Sequence, residues 1–405
     1  MLVFLPSLTN GGAERQGALL ARRLQAYGYK VSVWGFPSVT GSAPLEAWLD
    51  RAGIAHAQLA RWPRFTLDFG DWRSPLRTLL VRHRVWPQQV HAFASLLPEA
   101  RFDVVIPFTF WPSLVAAVMS ARFGASKTVW NHRGGFDNAG IQYSSFLIAQ
   151  ISAARPVFVA NSSGGAEFLR HTFALAQDQV RVIRNAFVAE RPDCSPAAET
   201  SRDTRSAIRL IHVANHYPEK DIATLLEATR FLMNKGVKFR LDVVGDFLRS
   251  SDREEVEAAI ARLGLEGLVS LHHGIDRARA DAMIARADIG LLSSRSEGMP
   301  NSVMECMYHR LPIVATDIPG VREVVGDANS TWLFRVGDAE GLARRIVALA
   351  RAPDLRARIG EANRTRIVTR FSEEAVMPAW LDLLTESTRS SGVEDSCRLS
   401  THTIE

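Results

Sequence analysis

Glu297 and Glu305 stand on either side of a Gly-Met-Pro-Asn turn in the stretch EGMPNSVMECM, with seven residues between them. Two carboxylates so placed suggest first a general acid and its base. Gly298 and Pro300 forbid a continuous helix across the turn, however, and the apolar run ADIGLLSS precedes it. The pattern therefore predicts a strand, a loop and then a helix that starts at Asn301 or Ser302, both good capping residues. Glu297 falls on the loop and Glu305 in the second helical turn, which argues against a close acid and base pair. Free loop N–H groups, a helix dipole and two flanking carboxylates suit a polyhydroxylated anion instead, the carboxylates taking hydroxyls and the helix end taking phosphate. A blander alternative, with Glu305 paired locally and Glu297 solvated, fits the spacing equally well.

Three further stretches carry candidate chemistry. In SLTNGGAERQ a strand ends, Gly11 and Gly12 turn the chain, and a helix begins near Ala13. Paired glycines let backbone N–H groups approach a phosphate or sugar with no Cβ in the way, although a plain strand-to-helix turn needs the same residues. In HVANHYPEKDIATLLEA a strand ends at Ala214 and Lys220 precedes a helix. A lysine there either reaches a diphosphate as a point charge or is an ordinary solvated cation. In VWNHRGGFDN, His132 follows a strand, where it either faces a cleft or serves the structure.

These residues need elements to position them. A chain of 405 residues with a 47% hydrophobic fraction is long enough for two domains, each with its own core. Strand-like runs LVFLPSL, KVSVWGF, FDVVIPF, KTVWNH and PVFVANS alternate with helical patterns such as AERQGALLARRLQAYG, which stops at Gly28. Residues 189–206 are polar and proline-bearing and read as a linker. The pattern then restarts with IRLIHVAN, KFRLDVVGD, LVSLHHG, ADIGLLSS and LPIVATD. Such alternation predicts an α/β chain of two Rossmann-like, doubly wound parallel sheets, at residues 1–188 and 207–371. Ligands of open α/β sheets bind beyond the carboxyl ends of the strands, which is where the four stretches lie. A helix over 372–386 is expected to return to the first domain, and 387–405, which lacks hydrophobic pattern, to be a disordered tail.

Composition narrows the function classes. Three cysteines at unrelated spacings offer neither a disulfide framework nor a metal site and suit a reducing compartment. No run approaches the length of a membrane span, and the N-terminus reads as a buried strand, so a cytoplasmic protein is expected. The net charge of +5 comes wholly from an excess of Arg and Lys in the first half. There RWPRFTLDFGDWRSPLRTLLVRHRVW, residues 61–86, reads as an amphipathic helix that packs into its domain, or as one that also attracts anionic lipid and makes the protein peripheral on the inner face of the plasma membrane. Nothing in it matches a nucleic-acid-binding motif.

In their order these segments resemble the large family of retaining, GT-B-fold glycosyltransferases that use nucleotide-diphosphate sugars. The likeness runs from GGAER to RFSEEAVMPAWLDLL and is most specific in ADIGLLSSRSEGMPNSVMECMYHRLPIVATDIPGVREVV, which looks like the donor-binding signature with its two glutamates. The resemblance implies that Glu305 holds the ribose hydroxyls, that Glu297 faces the donor sugar, and that amides of Gly298, Met299 and Asn301 contact sugar hydroxyls. It also implies that Lys220 binds the diphosphate, that Gly12 lies near the phosphates and acceptor, and that His132 touches the donor sugar. Asn185, in VIRNAF, matches a position before the interdomain crossing and is expected to be structural. One departure stands out: where many members carry an Arg five residues before the lysine, this chain has Asn215, so Arg133 or Arg295 is a candidate replacement at the phosphates. The residues after Glu305, CMYHR, also differ from the usual small residue and glycine. The implied reaction is transfer with retention from a UDP-sugar, or a GDP-sugar, to a saccharide or lipid-linked saccharide in the synthesis of bacterial surface polysaccharide, with no metal or other cofactor. A nucleotide-sugar epimerase of the same fold and a non-catalytic nucleotide-sugar-binding subunit are the alternatives.

Overall fold

The computed structural model describes residues 1–9, 11–38, 43–59, 100–134, 145–189, 207–247 and 249–386. The basic segment 61–86, most of the 189–206 linker and the 387–405 tail lie outside them. The first domain holds β1 (Leu2–Leu5), β2 (Ser32–Gly35), β3 (Ala55–Gln58), β4 (Val104–Pro107), β5 (Lys127–His132), β6 (Val157–Ala160) and β7 (Val180–Val182). All pair in parallel, in the order β3-β2-β1-β4-β5-β6-β7. The second holds β8 (Ile208–Val213), β9 (Phe239–Val244), β10 (Val269–His272), β11 (Ile289–Leu292), β12 (Ile313–Thr316) and β13 (Leu333–Phe334), again parallel, in the order β10-β9-β8-β11-β12-β13.

Central strands buried on both faces must be apolar throughout, and LVFL, VVIP, IGLL and IVAT are wholly buried. Helices cover both faces of each sheet, with Leu20, Leu24, Leu45 and Leu49 packed on Val3, Val33 and Ile106 in the first domain, and Leu225, Leu232, Leu342 and Ile346 on Leu210, Leu241 and Val314 in the second. The C-terminal helix Glu373–Thr385 belongs to the first domain's core: Val376, Met377, Trp380 and Leu383 join the cluster of Val3, Val33 and Ile106. Its carboxyl end is held by Lys127, whose Nζ donates to the carbonyls of Leu383 at 2.5 Å and Glu386 at 2.6 Å. The chain therefore crosses between domains twice, and the crossings lie side by side, with the Phe187 N–H donating to the Phe371 carbonyl at 2.6 Å and Phe187 bridged to Ser372.

Helices Ser163–Phe173 and Pro319–Val325 meet across the cleft. There Glu323 accepts from the backbone N–H and hydroxyl of Ser163, at 2.8 and 2.9 Å, and from Arg184 Nε at 2.9 Å. No helix among the described residues is long and apolar enough to cross a membrane.

Candidate active site

The stretch after β11 folds as the residue types require. β11 ends at Leu292, the loop carries Glu297 and Gly298, and Pro300 opens a helix over Asn301–Tyr308. The helix starts at Asn301, but Asn301 does not cap it. Its side chain turns across the cleft instead, its Nδ2 donating to the Gly12 carbonyl at 3.2 Å and its Oδ1 accepting from Asn185 Nδ2 at 2.9 Å and Gln16 Nε2 at 3.3 Å. The glycine turn after β1 is thus tied directly to the loop after β11.

The two glutamates occupy different environments. Glu297 is neither solvated nor paired with Glu305: its Oε1 accepts from Lys220 Nζ at 2.6 Å and from the Ser294 hydroxyl at 2.7 Å, and both charged side chains are mostly buried. Lys220 ends a short 3₁₀ turn, Pro218–Lys220, that precedes the helix Ile222–Asn234, and the Ser293 hydroxyl pins the turn by donating to the Lys220 carbonyl at 2.9 Å. Glu305, only 6% exposed, carries two arginines on one oxygen. Arg277 Nη1 lies 2.7 Å and Arg15 Nη1 3.2 Å from its Oε1. Arg277 opens a helix of the second domain, whereas Arg15 reaches over from the first-domain helix Gly12–Ala26.

Between these clusters the domains approach at backbone distance. A Cβ on Gly298 would stand 2.6 Å from the Arg133 carbonyl, 2.7 Å from that of Gly134 and 2.8 Å from Asn161 Oδ1. Two of the three are main-chain atoms that cannot swing aside. Gly298→Ala should force the loop out of register with the first domain, at an overpacking cost of about 1–3 kcal/mol. We expect both domains to stay folded, small-angle scattering to report a more open particle, and transfer to fall at least about tenfold. Unchanged scattering and turnover would show that the close approach is dispensable.

His132 ends β5 beside this junction, 6% exposed and stacked on Phe168 with ring centroids 4.8 Å apart. Arg133, a candidate phosphate contact, is directed elsewhere: Nη1 donates to Asn185 Oδ1 at 3.0 Å, and the guanidinium lies 4.7 Å above Phe108 and 5.6 Å from the Trp380 ring. Burial pushes its pKa down to about 9, which leaves it charged at neutral pH. It holds Asn185, and Asn185 in turn donates to the Met299 carbonyl at 3.1 Å. Arg295, the other candidate, has a side chain 63% exposed and lies against Asp221, Nε to Oδ2 3.3 Å. Asn215 accepts from the Asp246 N–H at 3.3 Å at the end of β9.

Four residues with no local sequence signal complete the site. Arg15 and Arg277 are marked only by their positions at helix starts. His212 on β8 and His216 in the following loop stack with ring centroids 6.0 Å apart, and their four buried ring nitrogens have no hydrogen-bond partner. Burial, with Lys220 nearby, pushes them down to about 3 and about 4.

Both halves of the chain match described protein families. The family described as "Glycosyltransferase Family 4" matches residues 10–191 and the one described as "Glycosyl transferases group 1" matches residues 201–366. The chain is 28% identical to the lipopolysaccharide core biosynthesis glycosyltransferase LpsE of Rhizobium meliloti (strain 1021), over 40% of this chain and 50% of the relative. It is 29% identical to the amylovoran biosynthesis glycosyltransferase AmsK of Erwinia amylovora, over 41% of this chain and 42% of that one. The chain thus spans half or less of the length of these curated relatives. Among solved structures, HepE of Anabaena in complex with UDP and glucose superposes with a TM-score of 0.72 at 18% identity, covering 95% of this chain and 98% of that one.

Proposed function

The chain belongs to the GT-B-fold glycosyltransferases, and from that premise we propose that it transfers a sugar, with retention at the anomeric carbon, from a nucleotide-diphosphate sugar to a saccharide acceptor. The observation that carries the proposal is the pair of glutamates in one loop-and-helix unit, Glu297 on the loop held by Lys220 and Glu305 on the helix held by two arginines, beyond the carboxyl end of β11 in the interdomain cleft.

In this reading Glu305 accepts the ribose hydroxyls, while Glu297 and the amides of Gly298, Met299 and Asn301 face the donor sugar. His132 and Gly12 approach from the first domain. Lys220 meets the charge that builds on the diphosphate as the glycosidic bond breaks. The acceptor hydroxyl attacks on the face the diphosphate leaves, and a departing phosphate oxygen takes its proton. The contacts of Asn301 and Asn185 hold the domains together over the donor and exclude water, whose attack is the competing reaction. UDP is the favoured nucleotide, since HepE binds it. A lipid-linked acceptor at a membrane surface agrees with the lipopolysaccharide and amylovoran roles of the relatives and with the basic first half of the chain.

Incubation with UDP-, GDP- and ADP-sugars, with and without a lipid-linked saccharide, tests the reading. Acceptor-dependent release of nucleoside diphosphate is expected. Conversion of the sugar nucleotide without acceptor would indicate an epimerase, and binding without turnover a non-catalytic subunit. Glu305→Gln should mainly weaken nucleotide binding, raising Kd by about tenfold or more, while Glu297→Gln should mainly lower kcat. Equal effects of the two substitutions on Kd and kcat would refute the division of labour. Co-sedimentation with vesicles, independent of their anionic lipid content, would remove the membrane part alone.

A further inference from the structure

Three cations and two carboxylates line the cleft, and they are unevenly matched. Lys220 faces Glu297 alone, whereas Arg15 and Arg277 share one oxygen of Glu305. That oxygen belongs to the group assigned above to the ribose hydroxyls, so an incoming nucleotide and Arg15 compete for it. Arg15 comes from the opposite domain, at the longer distance of 3.2 Å, from the first turn of the helix that begins at the glycine loop. It is therefore the partner that a ribose displaces more readily.

Asn215, at the position where the family this chain resembles carries an arginine, accepts from the Asp246 N–H at 3.3 Å and brings no guanidinium. We infer that Arg15 is the diphosphate-binding arginine of this protein: it rests on Glu305 while the donor site is empty and passes to the diphosphate when ribose hydroxyls take its place. The inference rests on the nucleotide-sugar reading above. In chemical terms the exchange is favourable. A carboxylate that gains hydroxyl donors no longer needs a second cation, and the released guanidinium meets an anion whose two phosphates suit its planar fork of donors. Because Arg15 belongs to the first domain, donor affinity then depends on the two domains being together.

The test compares UDP, GDP and ADP with the matching nucleosides uridine, guanosine and adenosine, by calorimetry on the full-length chain. Arg15→Ala should weaken binding of the preferred diphosphate by about 10- to 100-fold. Binding of its nucleoside should be unchanged or tighter, because a competitor for Glu305 has gone. A merely structural role for Arg15 would weaken both ligands together. Arg15→Lys, which keeps the charge but not the fork, should fall between, and Asn215→Arg in the Arg15→Ala background should restore diphosphate affinity. If the wild-type protein binds a diphosphate and Arg15→Ala binds it as tightly, or weakens both ligands equally, the inference is overturned while the functional reading stands. If the wild-type protein binds none of the three diphosphates, the functional reading falls and takes the inference with it.

Discussion

Lys220→Ala should lower transfer by about 10²- to 10³-fold, the usual cost of removing one preorganised group that meets charge developing in a transition state. It should also destabilise the second domain, and the two effects have different origins. Lys220 and Glu297 are 16% and 13% exposed at the side chain and 2.6 Å apart, so deleting the ammonium leaves a largely buried carboxylate with only the Ser294 hydroxyl to satisfy it. Breaking one side of a buried pair costs about 3–5 kcal/mol, discounted here because some solvent reaches both groups. The double substitution Lys220→Ala with Glu297→Gln separates the two roles. Removing both charges should return much of the thermal stability, and it should not return activity. Glu297→Gln alone should already lower kcat, so a double variant no slower than that single variant would mean that Lys220 acts only by holding Glu297. Lys220→Arg keeps a cation on a longer, planar head and should retain part of the activity.

The parts of the molecule that were readable from the sequence share a physical reason, and so do the parts that were not. Strands buried on both faces must be continuous apolar runs, so β1, β4, β11 and β12 stand out in the chain. β3, with the sequence AHAQ and exposed at both ends, β7 and the two-residue β13 lie at the edges of their sheets. An edge strand buries less and carries little pattern. The break at Gly298 and Pro300 was readable because those residue types constrain the backbone wherever they occur. Asn301 was misleading. Its type suggests a helix cap, but Pro300 takes that place, and the amide instead joins Gly12, Gln16 and Asn185, none of which is near it in sequence. The Arg15 to Glu305 contact spans 290 positions and has no local trace at all. Buried histidines leave none either: in IRLIHVANHY, His212 and His216 read as polar interruptions of a strand end, and only the packing reveals that neither ring nitrogen of either one is satisfied.

Those two histidines should make the second domain acid-sensitive well above the range in which carboxylates titrate. His212 is fully buried on β8 and His216 is 4% exposed. They stack on each other, with Phe247 against His216 at 4.4 Å. The charged groups that face them are Lys220, which opposes a proton on either ring, and Asp246, which favours one on His216 but does not outweigh the burial. Their pKa values lie near 3 and 4 in the folded chain, against about 6.5 when unfolded. Below pH 6.5 the unfolded chain therefore binds protons that the folded chain refuses, so stability is fully present above about pH 6.5 and is lost as the pH falls toward 4. A pH of 5 lies about 1.5 units below the unfolded value, which is about 2 kcal/mol for each ring that stays neutral in the fold, and the pair contributes about 4 kcal/mol of lost stability. That is a large part of what holds a typical domain folded. The urea midpoint of the wild-type protein should fall steeply between pH 7 and pH 5. His212→Leu with His216→Leu should flatten that dependence and, by removing unsatisfied ring nitrogens, should leave the protein no less stable at pH 7. An unchanged pH dependence in the double variant would show that the rings reach solvent or a hydrogen-bond partner, and the stacked neutral pair would have to be abandoned. Because the pair adjoins Lys220, acid loosening of this core should be felt first at the donor site. Nucleotide affinity should then decline at a pH higher than the one that unfolds the first domain, which is readable by comparing UDP binding with a first-domain fluorescence signal from Trp34 or Trp130.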